Sequence, residues 1–370
     1  MQSSAEAPPQ GWVDVGHAWV RKARESFDPV YYLHANAAAD VALSLDPKHR
    51  DAMNLKGLVL LNDHKFTDAR DMARHVLSLD PDNPVALGTL SDALMELGDF
   101  QGAAEAAQKM MDLKPNLPAY SRASYMRWLQ GDVGAAIILA RQAIDAAGKA
   151  GEQAAWVLSD AAMLFWHKGD YAGADAGFDM ALTQFVDHPY PLAGRARVAM
   201  AKGDYARAAQ FAEKAYQKQP TAEHAWLLGD AHAAAGDEAR AKEAYAEVVK
   251  HGKAGDKRTL ALFYATQNHD IEEALRLITD ELKSRGDIYT HDAHAWVLYR
   301  AGKFPEAKAA VEKALQHGTQ DARLLFHAGA IHLASGEKEK GRKLLQDALK
   351  LNPRFDWTGA REAEQLLAAK

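Results

Sequence analysis

The chain has 370 residues, a formal net charge of −6, 48% hydrophobic and 25% charged residues, and no cysteine. The acid excess argues against a general nucleic-acid binder, which needs a basic face to neutralise phosphates. The missing cysteines exclude disulfides, thiolate zinc sites and a cysteine nucleophile, and no run of 18 or more apolar residues is present to span a bilayer.

Residues 1–10 (MQSSAEAPPQ) are small, polar and Pro-containing, and read as a disordered lead-in. They lack the basic start and apolar run of a signal peptide. The favoured reading is a mature exported, periplasmic-type chain whose signal was replaced by Met1; the alternative is a cytoplasmic N-terminus. Gly11 to about Arg24, with Trp12, Val13, Trp19 and Val20, predicts a first helix, broken by Asp28-Pro29. Tyr31–Leu45 predicts its partner. Helix pairs follow over Asp51–Leu79, Val85–Leu113 and Pro118 to about Ala147. Extra residues then enter at Asp145–Glu152, where Gly148 and Gly151 mark a candidate seam near 145–152. Further pairs are expected over Trp156–Phe185, Leu192–Tyr216, Ala222–Val249, Thr259–Leu282, Tyr289–Leu315 and Ala322–Leu351. Residues 354–370 end in an amphipathic stretch, REAEQLLAA, that reads as a capping helix.

The pairs share a turn. Gly98-Asp99, Gly131-Asp132, Gly169-Asp170, Gly203-Asp204 and Gly236-Asp237 are followed by Gly302-Lys303 and Gly336-Glu337, with a degenerate His269-Asp270 between. Glycine takes positive φ past a helix end, and Asp caps the next helix. Five residues after most turn glycines stands an alanine: Ala103, Ala136, Ala174, Ala208, Ala241 and Ala307. Pro47, Pro81, Pro115, Pro220 and Pro353 close second helices. Aromatics open many of them, at Phe66, Phe100, Tyr171, Tyr205 and Phe304, while Gly57, Gly229 and Gly329 sit in first helices. A helix pair with these features at a period near 34 resembles the tetratricopeptide repeat family. The resemblance spans nearly the whole chain, 11–353, and implies an all-α solenoid, a right-handed superhelix of about ten pairs. A solenoid of this length escapes the usual division into two or three globular domains, because each repeat contacts its neighbours.

The resemblance also implies that first helices line a concave groove. Counting back from the turns puts there Tyr125, Trp128, Trp156, Met163, Trp166, Tyr190, Arg197, Trp226, Asp230, Phe263, Asp292, Trp296, Tyr299 and Arg300. Tyr and Trp, with Arg, dominate interface energetics, so the groove is read as a site for a protein or peptide partner. Packing between neighbouring repeats is the competing role for each aromatic. Arg197 and Arg300 are candidates to hold a carboxylate, or to pair with Asp160, Asp230 or Asp292. The groove positions hold no Asn of the kind that clamps chaperone tails in one subfamily.

Sixteen histidines invite a metal search, and His291 with His294 is the best pair, but a zinc site wants three or four converging ligands. No nucleophile turn, strand–loop–helix context or phosphate-binding Gly loop is present. The expected function is a non-enzymatic scaffold without cofactor, metal or nucleic acid. The alternatives are a peptide-sensing module, marked by a closed pocket instead of an open groove, and, less favoured, an enzyme.

Overall fold

The computed structural model describes residues 8–148 and 151–369. Residues 1–7 of the lead-in and 149–150 of the candidate seam lie outside the described residues. Among the described residues the chain is all helix and turn. The first half pairs α1 (Pro9–Ser26) with α2 (Val30–Leu45), α3 (Arg50–Asn62) with α4 (Phe66–Leu79), and α5 (Pro84–Glu96) with α6 (Phe100–Leu113). Then come α7 (Leu117–Leu129) and α8 (Val133–Ala147), α9 (Glu152–His167) and α10 (Tyr171–Gln184), α11 (Pro189–Ala201) and α12 (Tyr205–Lys218). The last pairs are α13 (Ala222–Ala234) and α14 (Glu238–Gly255), α15 (Lys257–Thr266) and α16 (Ile271–Glu281), α17 (Ile288–Arg300) and α18 (Phe304–Ala314), and α19 (Ala322–Ala334) and α20 (Lys338–Leu351). A single helix, α21 (Gly359–Ala368), ends the array against α19 and α20.

The turn chemistry explains the pairing. Asp99, Asp132, Asp170, Asp204 and Asp237 each accept a backbone N–H three residues on, at the start of their second helix. The glycine before each has φ between 72° and 86°. Lys303 and Glu337 make no such side-chain cap. At the degenerate turn, Asn268 and Asp270 adopt positive φ in place of a glycine. Several helix boundaries differ from the sequence reading, among them α9, which starts at Glu152, and α14, which runs to Gly255. α1 begins at Pro9, two residues earlier, because a proline is tolerated at the first helical position, where no N–H partner is needed. α11 likewise begins at Pro189, with His188 Nδ1 accepting the Tyr190 N–H at 3.2 Å.

The alanines after the turns are where helices meet. Ala103, Ala136, Ala174, Ala208 and Ala307 are fully buried, and Ala241 nearly so. A Cβ added at Gly229 would stand 2.3 Å from the Tyr245 ring, so that first helix accepts the ring of its own partner only by lacking a side chain.

The chain's contacts divide it into two compact units, Met1–Ala123 and Ser124–Lys370. In the first, Arg122 forks onto Asp92, with contacts of 2.8 and 2.5 Å, and Asn54 bonds Asn83 at 3.2 Å; both contacts tie neighbouring repeats. The second unit carries all of the candidate groove residues, from Tyr125 to Arg300.

Ala208→Arg forces a long charged side chain into a contact with no free surface. It is expected to lower stability by more than about 3 kcal/mol. Denaturant unfolding measures this, and an unchanged midpoint would overturn the register of α12.

Candidate functional site

In the second unit the solenoid returns onto itself. Thr319, between α18 and α19, donates its hydroxyl to the Leu129 carbonyl at the end of α7, at 2.7 Å and 190 residues away in sequence. Asn352, after α20, donates to the Trp166 carbonyl at the end of α9 at 2.8 Å. Its own Oδ1 accepts the Tyr171 hydroxyl at 2.7 Å. Thr319 and Asn352 are each 1% exposed. Two turn glycines permit the approach. A Cβ on Gly131 would lie 2.5 Å from the Gly318 carbonyl oxygen, and one on Gly169 2.9 Å from that of Leu351. Aromatic contacts follow the same seam. Trp128 stacks on Tyr289 at 6.2 Å and tilts against His167 at 4.8 Å, and Tyr205 meets Trp357 edge-on. His167 also stands 3.6 Å from Asp321. At a repeat near 34 residues, about five and a half repeats complete the circuit.

The closure changes what the inner face is. Trp128, Trp166, Trp296, Phe263 and Asp292 are buried rather than lining an open groove. Trp296 is stacked on His327 at 4.1 Å and on Tyr299 at 4.9 Å, with the Arg300 guanidinium 4.4 Å from its ring. Asp292 lies within 3.0 Å of His327 Nδ1 through both carboxylate oxygens. Trp226 packs edge-on against Phe263. Met163, Tyr190, Arg197, Trp226, Asp230, Tyr299 and Arg300 are half-buried, while Tyr125 and Trp156 keep 42% and 40% of their surface. The two expected arginines are both paired, though not with the aspartates suggested for them. Arg197 pairs with Glu223, and Arg300 with Glu362 of α21, at 2.7 Å.

What remains is the polar part of the inner face, carried by first helices. Glu223 keeps 64% of its side-chain surface accessible. Desolvation nevertheless pushes its carboxyl up, and Arg197 first, then His224 and Arg323, bring it below the usual range. Desolvation likewise raises the Tyr190 and Tyr289 hydroxyls and lowers His167. Asp160 accepts the Tyr190 hydroxyl at 2.9 Å, and burial pushes it up to about 7. Asp230 accepts the Tyr245 hydroxyl at 2.8 Å. Burial and then Asp356 push it up to about 8, against the opposing pull of Tyr245 and Trp226. Arg323, opposite on α19, is held protonated by Asp321 and Asp292 against its desolvation.

Sequence reasoning left Glu223 and Arg323 out of the site. Their signal was available: both stand thirteen residues before a turn glycine, the position that Trp156, Tyr190 and Tyr289 occupy in other repeats. Thr319 and Asn352 gave no such signal, because their partners are distant in sequence. Among the described residues, no three metal-ligating side chains converge, and no helix is long and apolar enough to cross a membrane.

Two family models, each described as tetratricopeptide repeat, match the chain. One covers residues 60–124 and 199–257, the other 159–223 and 293–354. Human IFIT1, solved as a dimer with PPP-AAAA, aligns at 15% identity and a TM-score of 0.53, over 92% of this chain and 84% of that one. A tetratricopeptide repeat protein from Parabacteroides merdae aligns at 18% identity and a TM-score of 0.48, over 68% of this chain and 97% of its own. The TPR protein TTC0263 of Thermus thermophilus aligns at 19% and 0.44, over 52% and 97%. These likenesses concern the fold alone. No curated protein sequence matches the chain.

Two outcomes follow. Asn352→Ala strands the Tyr171 hydroxyl and removes a buried bond to the Trp166 carbonyl. It should cost about 1–3 kcal/mol, and hydrogen exchange should quicken at Trp166–Tyr171; unchanged exchange would contradict the clasp. Asp160 and Asp230 bind protons more tightly folded than unfolded, so stability should fall as pH rises from about 4 to about 8. Asp160→Asn/Asp230→Asn should flatten that fall, as read from melting temperature against pH.

Proposed function

The chain belongs to the tetratricopeptide repeat family, and from that premise we propose that it is a non-enzymatic scaffold holding protein or peptide segments of a partner against its first helices. Repeats of this family generally serve protein–protein interaction. The observation that carries the reading is the pair of accessible aromatics Tyr125 and Trp156 on the consecutive first helices α7 and α9. Large aromatic side chains offer apolar area with a polar atom at low entropic cost. Nucleic acid is not the proposed ligand, although the human protein named above was solved with PPP-AAAA. The chain carries a formal net charge of −6, and Arg197 and Arg300 of the inner face are already paired with Glu223 and Glu362, the reverse of a phosphate-binding balance.

A second reading, peptide sensing by Ser124–Lys370, is favoured by one observation: the polar clasp that closes this unit on itself. A ligand can shift such a closure only through different affinity for the closed and open forms.

The test of the scaffold is a cross-linked pull-down with wild type beside Tyr125→Ala/Trp156→Ala. A partner captured by wild type and lost by the variant, at equal melting temperature, supports the reading. Identical capture by both removes these aromatics from the site. For the sensing reading, small-angle scattering should report a larger radius of gyration when ligand is added, and an unchanged profile at saturation would count against it.

A further inference from the structure

Along the array, a first helix packs on the second helix of the preceding pair, as α3 does on α2 and α5 on α4. α1 packs on α2 and α3. It meets α3 through Val13, which clusters with Ala52, and through Gly16, whose lack of a Cβ leaves room for Leu55. α2 reaches α3 through Asn36 and Asp40, both bonded to the Lys56 ammonium. The sides of α1 and α2 turned away from α3 are open and largely apolar. Val15, Val30, Leu33 and Val41 keep between 36% and 64% of their surface, and Ala18 and Ala37 are exposed with them. The outer face of a terminal repeat is ordinarily polar, because it meets water. An apolar face there marks an interaction site.

The face is arranged symmetrically. On α1, Asp14 and Lys22 stand four residues either side of Ala18; on α2, Leu33 and Val41 stand four either side of Ala37. Four residues make about one helical turn, so each set shares a face. Ala18 lies eight residues before the end of α1, and Ala37 seven after the start of α2. The two helices form a hairpin, with Trp19 against Tyr31 and His34 at 5.5 and 4.9 Å, so the two alanines stand at one level. A two-fold axis across that level lays α1 antiparallel on its own copy, and α2 likewise. Asp14 then meets Lys22 of the partner subunit, and Leu33 meets Val41 of the partner subunit, each contact occurring twice. Within its own chain Asp14 accepts the Gln10 amide at 2.9 Å, and the Lys22 ammonium stands 6.0 Å from the Tyr31 ring. Neither contact is an ion pair. Alanine at the centre of each crossing lets the helices approach closely.

We propose that two copies of this chain pair through the outer face of α1 and α2, in a symmetric dimer whose two-fold axis runs past Ala18 and Ala37. Opposite charges set against each other fix the register of the contact and select a second copy over other partners. The two helices have 18 and 16 residues and present a face roughly 25 Å by 20 Å. That is small for a permanent interface. The dimer is therefore reversible and depends on protein concentration.

The experiment is sedimentation equilibrium of the full chain, from micromolar to hundreds of micromolar concentration. Wild type should pass from the mass of one chain to that of two. Leu33→Glu/Val41→Glu should abolish the change. Asp14→Lys should weaken association at least about tenfold by setting like charges against each other, and Asp14→Lys/Lys22→Asp should restore it. The mass of one chain at every concentration would overturn the proposal. So would association that survives Leu33→Glu/Val41→Glu, that ignores Asp14→Lys, or that the double exchange fails to restore. A one-chain mass that becomes a two-chain mass on removing residues 1–7 would give the face to the lead-in and overturn the proposal as well. The charge exchange carries the test even if Leu33→Glu/Val41→Glu fails to fold, since Asp14 and Lys22 are exposed on α1.

Discussion

The structure depends on a close approach of helices that no single pair can use alone. A two-helix hairpin has one apolar face and nothing to bury it against. Ala208 of α12 is fully enclosed, packed in one cluster with Ala199 of its own pair and Ala231 of the next. The same role falls to Ala103, Ala136, Ala174 and Ala307 in other repeats. Small residues at these points let backbones approach until dispersion contacts saturate, and a larger side chain would hold the helices apart. The Gly-Asp turn serves the same end. It reverses the chain in minimal length and satisfies the first amides of the second helix with a carboxylate.

In the second unit this local geometry has a long-range consequence. Each repeat adds a small rotation, and after about five and a half repeats the array meets itself. There two turn glycines acquire a second role. Gly131 and Gly169 end first helices, and they also leave room for the backbone at Gly318 and Leu351. Thr319 and Asn352 then supply polar contacts across the junction. The inner face becomes a wall whose tryptophans mostly pack against protein. Trp296 lies between His327 and Tyr299 with Arg300 across its ring, an arrangement that stabilises through stacking and cation–π attraction rather than by offering a surface. Accessible aromatic area survives at Tyr125 and Trp156.

The charges divide in the same way. Neighbour-to-neighbour pairs such as Arg197 with Glu223 are products of repeat register. Arg300 with Glu362 joins α17 to the terminal helix. Asp160, Asp230 and Arg323 are left with neutral or distant neighbours, and the raised carboxyls of the two aspartates register that cost.

Ten helix pairs, their turns, the alanine contacts and the capping helix were legible in the residues, because each is set by interactions within about 34 positions. The first-helix face was legible too, and Trp226, Tyr190 and Arg197 do stand on it. Its exposure was not. Whether Trp128 looks into water or onto Tyr289 depends on rotations summed over five repeats, and a small change in each would open the ring. Sequence therefore determined what a repeat is and which side chains it turns inward. The tertiary structure alone decided that the array closes on itself and buries much of these inward faces, since contacts 181 to 190 residues apart leave no periodic mark in the chain.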